Sequence, residues 1–278
     1  MPRIAVGIEY DGAAYAGWQS QRGPATIQQH LETALSVVAG GTVAIVGAGR
    51  TDAGVHARAQ VAHFDTQVTR SSRSWILGAN TNLPDDISVR WACEVPDHFH
   101  ARYSALSRCY RYCILNRPFR SGLNRSRTAF VYQPLQLQPM REAAAHLIGL
   151  HDFSSFRAAE CQAKSPVRHL YALRLAQQGD FIVIEVQANA FLQHMVRNIA
   201  GLLLAVGRGD RPAEWALEVL AARDRRCNAA TAPPGGLYFW SVQYPPVFGL
   251  PDDSAMMRSP VGCPGDFLDQ VDQTNVMV

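Results

Sequence analysis

The chain has 278 residues and a mass of 30.5 kDa, a size at which about 0.7 of the unfolded surface is buried, so folding needs neither disulfides nor a structural metal. Hydrophobic residues make up 47% and charged residues 18%, a globular balance that excludes intrinsic disorder, coiled coil and collagen for the bulk of the chain. The net charge of +3 is unevenly held: residues 251–278 carry five aspartates against Arg258, a net of −4, which leaves residues 1–250 at +7 from 25 basic and 18 acidic groups.

In chain order, Ile4, Val6 and Ile8 alternate with small or polar neighbours and predict a strand ending at Asp11-Gly12. Thr26-Ile27-Gln28-Gln29 has the form of a capping box, and Ile27, Leu31, Leu35 and Val38 follow at helical spacing up to Gly40-Gly41. Residues 43–46 read as a short buried strand, 47–56 as a glycine-punctuated turn, 59–66 as a strand, 72–80 as a helix and 88–94 as another strand. A second half starts with the alternating aromatic and basic side chains of residues 108–115. It continues through an arginine-rich loop (Arg117, Arg120, Arg125, Arg127) and a helix near 138–149. Runs 169–176 and 181–188 meet at Gln178-Gly179-Asp180 as a hairpin. Helices at 191–206 and near 212–222 and a strand near 237–244 complete the folded part. From Pro245 the density of Pro, Gly, Asp and Met predicts an extended tail. The expected organisation is a domain at 1–105, a second at 106–250 and an acidic tail at 251–278.

The basic groups are 25 arginines and Lys164. Planar, phosphate-directed donors explain that preference, and so does arginine-biased codon usage. Six cysteines at irregular spacing, with a strand-like start in place of a signal peptide, point to free thiols in a reducing cytoplasm. Cys109 and Cys113 have no second ligand pair at zinc spacing, so no metal site is expected. No apolar run reaches eighteen residues without a charge, so no membrane span is expected.

The richest run is Gly47-Ala48-Gly49-Arg50-Thr51-Asp52-Ala53-Gly54-Val55-His56-Ala57. Three glycines around an arginine and an aspartate describe a tight turn presenting short polar side chains. As a dinucleotide fingerprint it fails, because Asp52 stands at the third glycine and a carboxylate repels a pyrophosphate. Arg50 and Asp52 are close enough to pair. That pairing either holds Asp52 ionised as a nucleophile or base, or is a structural salt bridge of the turn.

The run from Gly49 to Ala57 resembles the catalytic signature of the TruA-type tRNA pseudouridine synthases. Three further segments resemble that family in the same order: Tyr10-Asp11-Gly12 with Gly17-Trp18-Gln19, Phe99 to Ala105 with Arg108-Cys109-Tyr110-Arg111-Tyr112, and Phe191-Leu192-Gln193-His194-Met195-Val196-Arg197-Asn198. The resemblance implies an α+β fold of two similar halves, forming a continuous mixed, mainly antiparallel sheet with helices on one side and a catalytic cleft between the halves. It implies Asp52, Tyr110 and Arg197 as catalytic residues, and Arg50, Thr51, Arg58, Tyr110 and Lys164 as substrate-binding ones, with neither cofactor nor metal. Tyr112 has the same strand parity as Tyr110 and competes for its role, and His56 and His194 serve packing as readily as chemistry. The implied substrate is the uridine at position 38, 39 or 40 of the tRNA anticodon stem-loop, and the implied assembly is a homodimer spanned by one tRNA.

A base inside a stem cannot reach Asp52, so it must be extruded at a cost of a few kcal/mol. Arginine–phosphate contacts offset that cost. Candidates are Arg22, Arg58, Lys164, the loop arginines and the group Arg223, Arg225 and Arg226. Two other classes, a non-catalytic RNA-binding module on the same scaffold and a nucleotide-dependent oxidoreductase, give no reason for an acidic residue beside phosphates.

Overall fold

The computed structural model describes residues 1–251; from residue 252 the expected acidic tail lies outside the described residues. Along the chain run β1 (Arg3–Tyr10), α1 (Ile27–Ala39), β2 (Val46–Gly47), β3 (His56–Asp65), α2 (Ser72–Asn82), β4 (Ile87–Val95) and β5 (Ser107–Asn116). Then come β6 (Ala129–Val131), α3 (Leu137–Ala145), β7 (Gly149–Asp152), β8 (Val167–Gln178), β9 (Phe181–Ala188), α4 (Met195–Gly207), α5 (Trp215–Ala222) and β10 (Leu237–Gln243). Two compact units result, one of Met1–Arg108 with residues 238–251, the other of Cys109–Leu237.

In the first unit the strand order is β4-β1-β3-β10, with β2 added to β3. β1 runs antiparallel to β3 and β4, whereas β10 runs parallel to β3. Ile4 lies opposite Phe64 and Val6 opposite Ala62, and Phe64 meets Trp75 of α2 edge-on at 5.2 Å between ring centres. This face of the sheet is therefore the one the helices cover. Ile8, Ile27, Leu31, Leu35, Phe64 and Trp75 are buried in this core, each contributing roughly 1.5–3 kcal/mol from surface removed from water.

In the second unit the order is β5-β9-β8-β7, with β6 parallel to β5. β8 and β9 form the expected hairpin, turning through Gly179-Asp180 with Gly179 at φ 56°. The class expected from the resemblance, α+β with mixed and mostly antiparallel sheet, is the one observed.

Three local expectations give way. Residues 43–46 form no full strand: only Val46–Gly47 pairs, while the Val43 N–H donates to Ser36 Oγ at 2.9 Å and the Ile45 N–H to Glu32 Oε1 at 3.1 Å. Those residues are tied to side chains of α1, so Val43 and Ile45 are buried without a ladder. The capping box does not form either, because Thr26 makes no side-chain cap bond and its hydroxyl is buried without a partner. Instead the N–H groups of Ile27 and Gln28 donate to the carbonyls of Gly17 and Trp18, at 3.2 and 3.0 Å, so a loop satisfies the helix start. Finally, the helix expected from residue 191 starts at Met195, preceded by His194 in the left-handed region at φ 62°.

Candidate active site

The Asp52 turn hangs from the loop that follows β1. The Trp18 N–H donates to the Thr51 carbonyl at 3.0 Å, the Gly54 N–H to the Tyr15 carbonyl at 3.2 Å and the Val55 N–H to the Asp52 carbonyl at 3.1 Å. Gly54 supplies the positive φ, 77°, on which the turn closes. Close approach requires two more glycines: a Cβ on Gly12 would lie 1.9 Å from the Val55 carbonyl oxygen, and one on Gly17 would lie 2.5 Å from that of Thr51. The segments Tyr10-Asp11-Gly12 and Gly17-Trp18 are thus the frame of the aspartate turn, which is the physical reason the two sequence motifs occur together.

Side chains lock the other flank. The hydroxyls of Tyr10 and Thr51 are 2.8 Å apart. Gln60, fully buried in β3, accepts from the Gly49 N–H at 3.3 Å and donates to the Gly49 carbonyl at 2.8 Å. Arg108 donates to the Ala48 carbonyl at 3.2 Å and also to the carbonyls of Ala105 and Arg102. His56 Nδ1 accepts from the Gly12 N–H at 3.1 Å and lies 3.0 Å from Asp11 Oδ1, while its ring stacks on Tyr238 at 4.8 Å. Within these contacts His56 is a packing and backbone-bonding residue. His63 is likewise structural: burial pushes its pKa down to about 4, and its Nδ1 accepts from the Ala101 N–H at 3.2 Å.

Among the expected site residues of the first unit, Asp52 is half-buried, Arg50 is exposed and Thr51 is buried. Arg58 extends from β3 with its guanidinium 4.1 Å from the centre of the Trp240 ring, an arrangement that holds a planar cation by its face. Gln60 and Trp240 escaped the sequence reading, in which Tyr10 and Arg108 stand inside the resembling motifs without a role of their own.

In the second unit Tyr110 stands in β5 at 8% exposure, its ring meeting Phe191 edge-on at 4.9 Å between centres. Tyr112, two residues along, is fully buried, and its hydroxyl donates to the Pro233 carbonyl at 2.9 Å. Burial pushes its phenol pKa well up. The Tyr112 phenol is thus committed to the backbone. Arg197 sits in the first turn of α4, with Nε donating to the Ala232 carbonyl at 2.8 Å. Lys164 is exposed in the segment before β8.

The tRNA pseudouridine synthase family profile matches residues 7–104 and 143–245. These ranges contain the Asp52 turn and the Arg197 helix start, with Tyr110 in the interval between them. The chain belongs to this family, the TruA type. It is 55% identical over 254 residues to tRNA pseudouridine synthase A of Alcanivorax borkumensis, covering 91% of this chain and 95% of that protein. To the protein of the same name in Methylococcus capsulatus it is 55% identical, covering 93% and 95%, and to that of Pseudomonas aeruginosa 54% identical, covering 90% and 88%. The enzyme is therefore an isomerase of the tRNA-modifying class. Among the described residues no group of three or more His, Cys, Asp or Glu is placed to hold a metal ion, and no helix is long and apolar enough to cross a membrane.

Proposed function

We propose that the enzyme converts uridine to pseudouridine at positions 38, 39 and 40 in the anticodon stem-loop of tRNAs, with Asp52 as the essential carboxylate and no cofactor. The supporting observation is the build of the Asp52 turn: backbone and side chains on both flanks are hydrogen-bonded, while the carboxylate itself is neither fully buried nor fully exposed. Such a mount holds a reactive group ready without reorganisation.

The reaction breaks the bond from C1′ to N1, turns the uracil and joins C5 to C1′, with no redox change. Asp52 begins it either by attacking the nucleoside or by removing a ribose proton, both of which require the ionised carboxylate. Tyr110 stacks on the base, whose flat contact leaves rotation unhindered, and accepts the C5 proton once the new bond has formed. Arg197 supplies the cation that pairs with the catalytic carboxylate. Arg50, Thr51, Arg58 and Lys164 bind the extruded nucleotide and its phosphates. The working form in this reading is a cytoplasmic homodimer that shares one tRNA.

The test is incubation of purified protein with unmodified tRNA in the absence of any cofactor, followed by mapping of pseudouridine. Product at positions 38–40 is expected, and none with Asp52→Asn. Product outside the anticodon stem-loop overturns the substrate assignment, and product from Asp52→Asn overturns the role of Asp52.

A further inference from the structure

The start of α4 and the segment before β10 are bonded to each other in two consecutive rungs. In the first, Arg197 Nε donates to the Ala232 carbonyl at 2.8 Å, and the Ala232 N–H donates to the Arg197 carbonyl at 3.1 Å. In the second, the Thr231 hydroxyl donates to Asn198 Oδ1 at 2.7 Å. One terminal nitrogen of Arg225 donates to both members of that rung, to Asn198 Oδ1 at 3.0 Å and to Thr231 Oγ1 at 2.9 Å. A guanidinium NH₂ carries two hydrogens, so both bonds are satisfiable at once. The other end of the fully buried Asn198 amide donates to the Phe156 carbonyl at 2.7 Å. One turn further along α4, a Cβ on Gly201 would lie 2.2 Å from the Ala230 carbonyl oxygen, so the segment rests directly on the helix.

A planar guanidinium bonded through Nε takes its direction from the carbonyl it bonds. The place of the Ala232 carbonyl is set by Thr231, and that of Thr231 by Asn198 and Arg225. Arg225 is half-buried, whereas its neighbours Arg223 and Arg226 are 69% and 90% exposed in their side chains. We infer that Arg225, Asn198 and Thr231 are positioning residues that aim Arg197, and that Arg225 acts through this network and not on RNA phosphates. The inference rests on the catalytic role proposed for Arg197.

Three variants test it, each with thermal melting to establish folding. Thr231→Val, which keeps shape and removes the hydroxyl, is expected to lower kcat about ten- to a hundred-fold with KM for tRNA within about twofold, and Thr231→Ser to restore kcat to within about threefold. Arg225→Gln is expected to lower kcat in the same way and to leave the salt dependence of tRNA binding unchanged. Should Thr231→Val fail to melt cooperatively, Arg225→Gln alone carries the decision. Parental kcat in either folded variant, or a flattened salt dependence with intact kcat in Arg225→Gln, overturns the inference while Arg197→Ala remains inactive. An active Arg197→Ala enzyme instead overturns the role of Arg197, and the inference falls with it.

Discussion

The Tyr10 hydroxyl, at the end of β1, lies 2.8 Å from the Thr51 hydroxyl, one residue before Asp52. Both side chains are buried, at 4% and 7% exposure, and burial pushes the Tyr10 phenol pKa well up, so it stays protonated as a donor or acceptor. Tyr10→Phe leaves a buried threonine hydroxyl short of its partner, at a cost of about 1–2 kcal/mol, or about 2–8 °C in Tm for a chain of this size. Because the bond anchors the residue next to Asp52, kcat is expected to fall further than stability alone explains. Single-turnover rates at a temperature where the variant is fully folded check this, and a parental rate there refutes it.

Gly17 permits a second anchor. Its φ of 94° is unfavourable for side-chain-bearing residues, and a Cβ there would press to 2.5 Å on the Thr51 carbonyl oxygen that accepts from Trp18. Gly23 has a similar φ, 102°, with nothing within 4 Å of its Cβ position. Gly17→Ala and Gly23→Ala therefore share the backbone strain, about 1–2 kcal/mol, but only the first displaces the aspartate turn. Pseudouridine formation is expected to drop at least tenfold in Gly17→Ala and to hold in Gly23→Ala. Equal activities would remove the steric argument.

What was legible before the structure was largely what is local or periodic. The alternation of Ile4, Val6 and Ile8 and the helical spacing of Ile27, Leu31 and Leu35 report a buried face directly, and those residues are buried as expected. The nine-residue run around Asp52 was legible because its chemistry is packed into one turn. Contacts that close over long stretches of chain left no such trace. The Gln60 amide clasps Gly49 across 11 residues and Tyr10 reaches Thr51 across 41, so neither produces a pattern. Residues 43–46 misled because burial without a ladder has the same composition as a strand. Arg225, grouped with its neighbours as a surface cation, is tied down by Asn198 and Thr231, residues 27 and 6 positions away.

His63 makes the first unit sensitive to acid. Burial foremost, then the positive charges of nearby His100 and Arg3, hold its folded pKa at about 4, against about 6.5 in an unfolded chain. A group whose folded pKa is depressed contributes stability that is present above the unfolded value. That contribution, about 1–3 kcal/mol, is lost as pH falls from about 6.5 towards 4, because the unfolded chain takes up the proton first. The Arg3–Asp65 pair weakens in the same direction at lower pH, since Arg3 holds the Asp65 carboxyl below its usual range. The difference in unfolding free energy between the parent and His63→Gln isolates the histidine. It is expected to shrink on going from pH 7.5 to pH 4.5, and a difference independent of pH would show that His63 does not titrate on unfolding.

Tyr110 packs against Phe191. The two rings meet edge-on, 4.9 Å between centres and 78° between planes, a geometry worth about 0.5–1.5 kcal/mol beyond the area it buries. Phe191 belongs to the segment that leads through the left-handed His194 into Arg197, so a single stretch of chain carries both a ring packed on Tyr110 and the guanidinium of Arg197, the two groups to which the proposed mechanism gives base stacking and carboxylate pairing. Removing the Phe191 ring removes one contact that holds Tyr110, and in the proposed mechanism a displaced phenol is badly placed for the C5 proton, which leaves only after the new carbon–carbon bond exists. Phe191→Ala is therefore expected to slow turnover about tenfold or more, with Phe191→Tyr within about twofold of the parent because it retains the edge contact. A second readout separates positioning from folding: substrate deuterated at C5 should show a larger isotope effect in Phe191→Ala, since proton removal then limits the rate. Parental turnover with an unchanged isotope effect in that variant would mean that Tyr110 holds its place without Phe191.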